Sequence, residues 1–120
     1  MDRVSIAVLA SLDSKHQAVR FVCNALSEAG VVPWLVDLSL RPHKLEFADV
    51  SGETVAKSAG LAWAEIGRLT RAEAAQTMIL GGTEIVRAKF AGREIDGVLG
   101  VGGANGSSMA CAIMRALAAP

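Results

Sequence analysis

Val4-Ser5-Ile6-Ala7-Val8-Leu9-Ala10 leads into Ser11-Leu12-Asp13-Ser14-Lys15, and past Gly30 the chain reads Val31-Val32-Pro33-Trp34-Leu35-Val36-Asp37. Both apolar runs are short, continuous and rich in Val, Ile and Leu, which is the pattern of strands buried on both faces. Between them Val19, Val22, Cys23 and Leu26 recur at helical spacing on one stripe, and the pattern stops before Gly30. The polar segment Ser11 to Lys15 supplies capping residues that separate strand from helix. A strand, a helix and a second strand in this order fix an α/β class, because parallel strands need a crossover that lays helices on the sheet faces.

Outward from this unit the pattern loosens and then recovers. Ser39 to Glu53, with Pro42, His43 and Ala48-Asp49-Val50-Ser51, reads as a long loop, and such loops in compact domains are often functional. A short helix is expected from about Gly52 to Ala59, whereas Gly60 to Arg68 carries no clear period. Arg71 to Phe90 is the longest helix, with Ala75, Met78, Ile79, Ile85 and Val86 at helical spacing. Gly81 and Gly82 inside it cost about 1 kcal/mol each against alanine, so close packing on the sheet or on a partner is expected there. Ile95 to Val101 is the third strand, and a last helix starts near Ser107 with Ala110, Ile113, Met114 and Leu117 facing inward.

Right-handed crossovers then predict a Rossmann-like, three-layer αβα arrangement with about three parallel strands in the order 2-1-3. All three strand C-termini fall on one edge, where open α/β sheets bind ligands at the reversal of strand order. Ser11 to Lys15, Asp37 with its loop, and Gly102 to Ser108 converge there.

Gly102-Gly103-Ala104-Asn105-Gly106-Ser107-Ser108 follows the third strand and opens the last helix. Glycines let main chain approach an anion closely, a helix start offers unpaired N–H groups, and the serines add hydroxyls. No lysine follows Gly106, so the P-loop pattern is absent. Counting from Gly100 puts Asn105 where a dinucleotide fingerprint has its third glycine. The spacing therefore leaves two readings open, a phosphate or carboxylate cradle and a tight turn whose glycines only pack.

Composition bounds the rest. The chain has 120 residues, 52% of them hydrophobic, enough for one domain with a modest core. Its formal net charge is zero, which leaves no electrostatic footprint for nucleic acid and no basic block for an anionic membrane. There is no signal segment and no apolar run of spanning length, so a cytoplasmic location is expected. Cys23 and Cys111 read as buried reduced thiols on apolar helix faces. His16 and His43 read as surface histidines without metal-ligand spacing. Trp34 and Trp63 read as core or interface aromatics, and Asp96 as the closure of a turn at the edge away from the site.

Four segments resemble one known family. Ser11-Leu12-Asp13-Ser14-Lys15 is similar to the Thr-Leu-Asp-Thr-Lys opening of the ATP-binding domain family typified by the tomato mosaic virus resistance protein. Val36-Asp37 resembles its strand-ending Val-Asp, and Ala48-Asp49-Val50-Ser51 its Ala-Asp-Val/Ile segment. Asp96-Gly97-Val98 with Gly102 to Ser107 resembles its Asp-Gly-Val/Ile and Gly-Gly-Ser-Gly-Gly-Thr. His16 stands where the family has glycine, Asn105 where it has a loop glycine, and Ala104 where it has serine. Family members also continue well beyond this length, so a truncated half-domain spanning residues 1–120 is expected, its open sheet edge covered by a second copy or by a C-terminal segment.

The resemblance implies ATP as the ligand. Gly102, Gly103, Ala104, Asn105, Gly106, Ser107 and Ser108 would then hold phosphates, with Lys15 neutralising one from the neighbouring loop. Asp13 either caps the first helix or holds Mg²⁺ through water. Asp37 stands where nucleotide-binding folds place an acid on the ribose. Asp49 and Ser51 are loop candidates on the resemblance alone. Two rival readings remain: part of an enzyme for a phosphorylated or carboxylated small molecule, with catalytic groups elsewhere, and an assembly module without ligand.

Overall fold

The computed structural model describes residues 3–118, with the side chains of residues 104–106 outside the description. Three parallel strands, β1 (Ser5–Ala10), β2 (Val32–Asp37) and β3 (Gly97–Val101), form one sheet in the order β2-β1-β3. The expected class and strand order are those observed. β1 pairs with β2 from Ser5↔Val32 to Ala10↔Asp37, and with β3 from Ile6↔Gly97 to Ala10↔Val101. All three strands therefore end level at one edge.

The central strand explains the sequence pattern. Ala7, Val8, Leu9 and Ala10 are fully buried, with Val8 and Ala10 facing one layer and Ala7 and Leu9 the other. α1 (Leu12–Glu28) covers the first face with Leu12, Val19 and, half-buried, Cys23 and Leu26. The chain leaves it through Gly30, whose φ of +82° lies in the left-handed region that favours glycine. On the other face lie α2 (Gly52–Ser58), α4 (Arg71–Ala91) and α5 (Ala104–Ala118), with the four-residue α3 (Trp63–Ile66) between α2 and α4 in the chain. Their core joins Val55, Met78, Val86, Met109 and Ile113 to Leu9, Val36 and Leu38. The unpatterned segment after Gly60 thus contains a single helical turn.

α4 opens with a full capping box, Thr70 and Glu73 exchanging side-chain-to-backbone bonds. Its paired glycines are required by packing on two different neighbours. A Cβ at Gly81 would run into the Val55 carbonyl of α2, and one at Gly82 would lie 2.9 Å from Ile113 Cδ1 and 3.1 Å from Leu38 Cδ2. The close approach is to α2 and α5 and to the segment just past β2.

Two expectations need correction. α5 starts at Ala104, three residues before Ser107, because Gly103 already accepts the first helical bond from Ser107 N–H at 2.9 Å. Cys111 is exposed, since Met109, Ala110 and Ile113 take the inner face of α5 and turn Cys111 outward. Asp96 acts as read: its carboxylate accepts from Ser5 N–H at 2.8 Å and its own N–H donates to Ser5 carbonyl, fastening the start of β3 to β1.

Candidate functional site

At the C-terminal edge the β1–α1 junction has almost no loop. Ser11 caps α1 in extended conformation without a side-chain cap bond, its hydroxyl donating to Leu38 carbonyl at 3.4 Å. The first N–H groups of a helix normally lack partners. Here Leu12 N–H donates to Asp37 Oδ1 at 3.2 Å and Asp13 N–H to Ser39 Oγ at 3.0 Å. Ser14 and Lys15 N–H both reach Ser11 carbonyl. The start of α1 is thus closed by the protein itself.

Asp37 is the keystone of that closure. It is 1% exposed, and its Oδ1 also accepts from Ser39 N–H at 3.0 Å and from the Ser39 hydroxyl. Its Oδ2 lies 2.6 Å from His43 Nε2. Leu45 N–H donates to His43 Nδ1 at 3.0 Å, so Nδ1 is an acceptor and Nε2 carries the proton that goes to Asp37. Oδ1 thus accepts from three protein donors, and Oδ2 accepts from His43. His43 is therefore an inward-facing strut between the loop and β2, where the sequence suggested a surface residue. The reason is the carboxylate waiting at the end of the strand.

The long loop returns to the sheet beside β2. Val50 forms an isolated parallel bridge with Val36, and Asp49 Oδ2 accepts from Leu35 N–H at 2.7 Å. Ser51 caps α2 by accepting from Thr54 N–H at 3.1 Å. Asp49 and Ser51 are thus engaged in holding the loop against the strand.

On the β3 side the geometry is more open. α1 breaks at Lys15 (φ −130°, ψ 20°), and this exposed lysine swings over the glycine loop. Among the described residues, a Cβ placed on Gly103 would meet only Lys15 Cε, at 3.6 Å, an ordinary contact. Among the described residues the glycines with positive φ are Gly30 and Gly60, so Gly103 is not glycine for conformational reasons either. Gly100 contrasts with it: a Cβ there would sit 2.6 Å from Ala110 Cβ, and its absence lets α5 close on β3. The Ser107 hydroxyl donates back to Gly102 carbonyl at 3.1 Å and stiffens the loop. Ser108 is exposed, Asp13 is half-buried, and the side chains at Ala104, Asn105 and Gly106 lie outside the described residues. His16, next to Lys15, is half-buried, and its Nδ1 is buried without a hydrogen-bond partner among the described residues.

Lys15 and Gly103 are thus brought together, while Asp37 is two strands away and bound elsewhere. Ser39, His43 and Trp63 are the residues that sequence reasoning missed. The only signal for the first two was a strand-ending acid with a hydroxyl two residues on and an imidazole six residues on. A recess of about 390 Å³ opens beside them, lined by Asp37, His43, Leu45, Glu53 and Trp63 among others. Among the described residues there is no cluster of three metal-ligating side chains and no helix long and apolar enough to cross a membrane.

Residues 4–119 match the family model described as uncharacterised protein family (UPF0261) N-terminal domain. A UPF0261 protein of Clostridium tetani (strain Massachusetts / E88) is 28% identical over 120 residues, covering 93% of this chain. The match takes in 28% of that relative's own length. No solved structure matches the chain.

Proposed function

Since the chain belongs to UPF0261, where it corresponds to the N-terminal domain, we propose that it is a nucleotide-binding module that holds the phosphates of ATP at the glycine loop after β3. The observation that carries this reading is Gly103. Among the described residues neither backbone conformation nor neighbouring atoms require glycine there, yet it sits under Lys15 at the mouth of a helix. A bare backbone at that point suits the close approach of an anion, with Lys15 as counter-charge and the first turn of α5 as donors. The packing-only reading accounts for Gly100 and leaves Gly103 unexplained.

Division of labour along the edge follows. With the start of α1 already capped by Asp37 and Ser39, phosphate binding falls to α5 and Lys15. Asp37 then orders the floor of the site, and ribose hydroxyls meet other groups. Mg²⁺, where used, would be held through phosphate oxygens and water near Asp13. Hydrolysis or transfer, if it belongs to the whole protein, draws on chain beyond this quarter of the relative's length. The free edge of β3 would be covered by that chain or by a second copy.

The test is calorimetric titration of ATP and of tripolyphosphate, with and without Mg²⁺, into the chain and into Gly103→Val. The variant is expected to keep its fold, because its Cβ has room, and to lose phosphate binding. Gly100→Ala is the opposite control, losing about 1–3 kcal/mol of stability from overpacking. Equal phosphate affinity in Gly103→Val and the parent would remove the loop from the site.

A further inference from the structure

We propose that the recess beside the end of β2 is a separate subsite for a flat heteroaromatic ring, with Trp63 as its wall and a purine as the ring. The choice of a purine rests on the nucleotide reading above; the aromatic slot itself rests on the geometry that follows.

Trp63 is fixed from two sides. The benzo edge of its indole fills the place of a side chain on Gly52, where a Cβ would lie 2.9 Å from Cζ3 and 3.0 Å from Cζ2. The His43 ring stands edge-on to it, centroids 5.9 Å apart at 82°. His43 is itself immobilised by Asp37 and by Leu45 N–H. A half-buried aromatic held this way is already in place before any ligand arrives, which removes the ordering cost of a stacking partner. Leu45, 38% exposed at the mouth, offers a second apolar surface.

The charges around the recess choose between the two halves of a nucleotide. Asp37, Glu46 and Glu53 line it, against Lys44 and the neutral ring of His43. That balance repels phosphate and favours groups that donate hydrogen bonds, such as an exocyclic amine or ribose hydroxyls. The phosphate loop lies at β3 and the recess at β2, two strand spacings apart, or about 10 Å. An extended nucleotide lying across the end of β1 covers that span. A base would gain its affinity largely by stacking, which is sequence-tolerant in chemistry because every base has a π-face.

The test uses adenosine, ribose and tripolyphosphate as separate probes. In a Trp34→Phe chain the remaining indole, Trp63, reports directly by fluorescence. Adenosine is expected to quench it saturably and ribose to leave it unchanged. Trp63→Leu should weaken adenosine about ten-fold or more while tripolyphosphate binding stays as it was. Leu45→Glu, on the exposed rim and harmless to the core, should weaken adenosine in the same direction if Trp63→Leu fails to fold. Adenosine binding without tripolyphosphate binding would sustain this subsite and refute the phosphate loop. Tripolyphosphate binding with no response to millimolar adenosine would refute the subsite and leave the loop standing. Adenosine affinity unaltered in both folded variants, or quenching by ribose as strong as by adenosine, would equally overturn it.

Discussion

Replacing Asp37 by Asn keeps its size and removes only a charge and an acceptor, so the outcome depends on hydrogen bonding alone. The amide oxygen can still face Leu12 N–H, Ser39 N–H and the Ser39 hydroxyl. The amide nitrogen then points at His43 Nε2, 2.6 Å away, which carries a proton. Two donors face each other. Switching the imidazole tautomer relieves that contact but turns Nδ1–H toward Leu45 N–H, moving the conflict without ending it. One charge-assisted bond is lost, worth about 1.5–3 kcal/mol, and one buried donor is stranded at about 1–3 kcal/mol. Because both penalties describe overlapping groups, a net loss near 3 kcal/mol is expected from urea unfolding of Asp37→Asn, a large fraction of a small domain's stability. A double-mutant cycle with His43→Ala isolates the cause, since removing the ring removes the opposing donor. Asp37→Asn should be at least about 1 kcal/mol less costly in that background. A loss below about 1 kcal/mol, or the same loss with and without His43, would refute the donor conflict and the strut it describes.

Two further outcomes follow from the packing. Gly81→Ala gains about 1 kcal/mol of helix propensity, yet its Cβ meets a backbone carbonyl that can retreat only if α2 moves, so a net destabilisation of about 2 kcal/mol is expected. Gly82→Ala meets only the ends of Ile113 and Leu38 and should be clearly milder; a reversed order in urea melts would contradict the α2–α4 contact. The Cys23 thiol is pushed above its ordinary range by burial first and by the Asp49 carboxylate second. Iodoacetamide near neutral pH should therefore label exposed Cys111 well ahead of Cys23, whose rate climbs only at higher pH, and mass spectrometry of timed samples would expose equal rates.

The layers of the fold were legible because β1 and α1 write their burial directly into periodicity: four consecutive apolar residues for a strand covered on both faces, and a single stripe for a helix covered on one. The start of α5 was not, because Ala104, Asn105 and Gly106 have no apolar period, and the bond from Ser107 N–H to Gly103 carbonyl that marks the helix start is invisible in sequence. Cys111 misled for a related reason: a small apolar residue adds nothing to a stripe, and the larger Met109 and Ile113 decide which way the helix faces. His43 left only a faint trace in the sequence. Its burial depends on the Asp37 carboxylate standing at the end of β2, and an imidazole six residues past a strand-ending acid is too weak a local cue to announce that pairing.

The glycines carry this argument into the site. In the sequence Gly81, Gly82, Gly100 and Gly103 are one residue type in two apolar neighbourhoods, and each invites the same account of close packing. Three of them have a neighbour that a methyl group would strike: Val55 carbonyl, the ends of Ile113 and Leu38, and Ala110 Cβ. Those three are explained by the fold. Gly103 has a normal backbone, an ordinary contact with Lys15, and no other neighbour to protect among the described residues. Folding alone would accept alanine there and gain up to about 1 kcal/mol from a stiffer unfolded chain. A position where the fold prefers a side chain and the sequence withholds it points to an approach from outside the molecule. It lies, moreover, at the one strand end of the three that the protein has not closed with Asp37, Ser39 and His43.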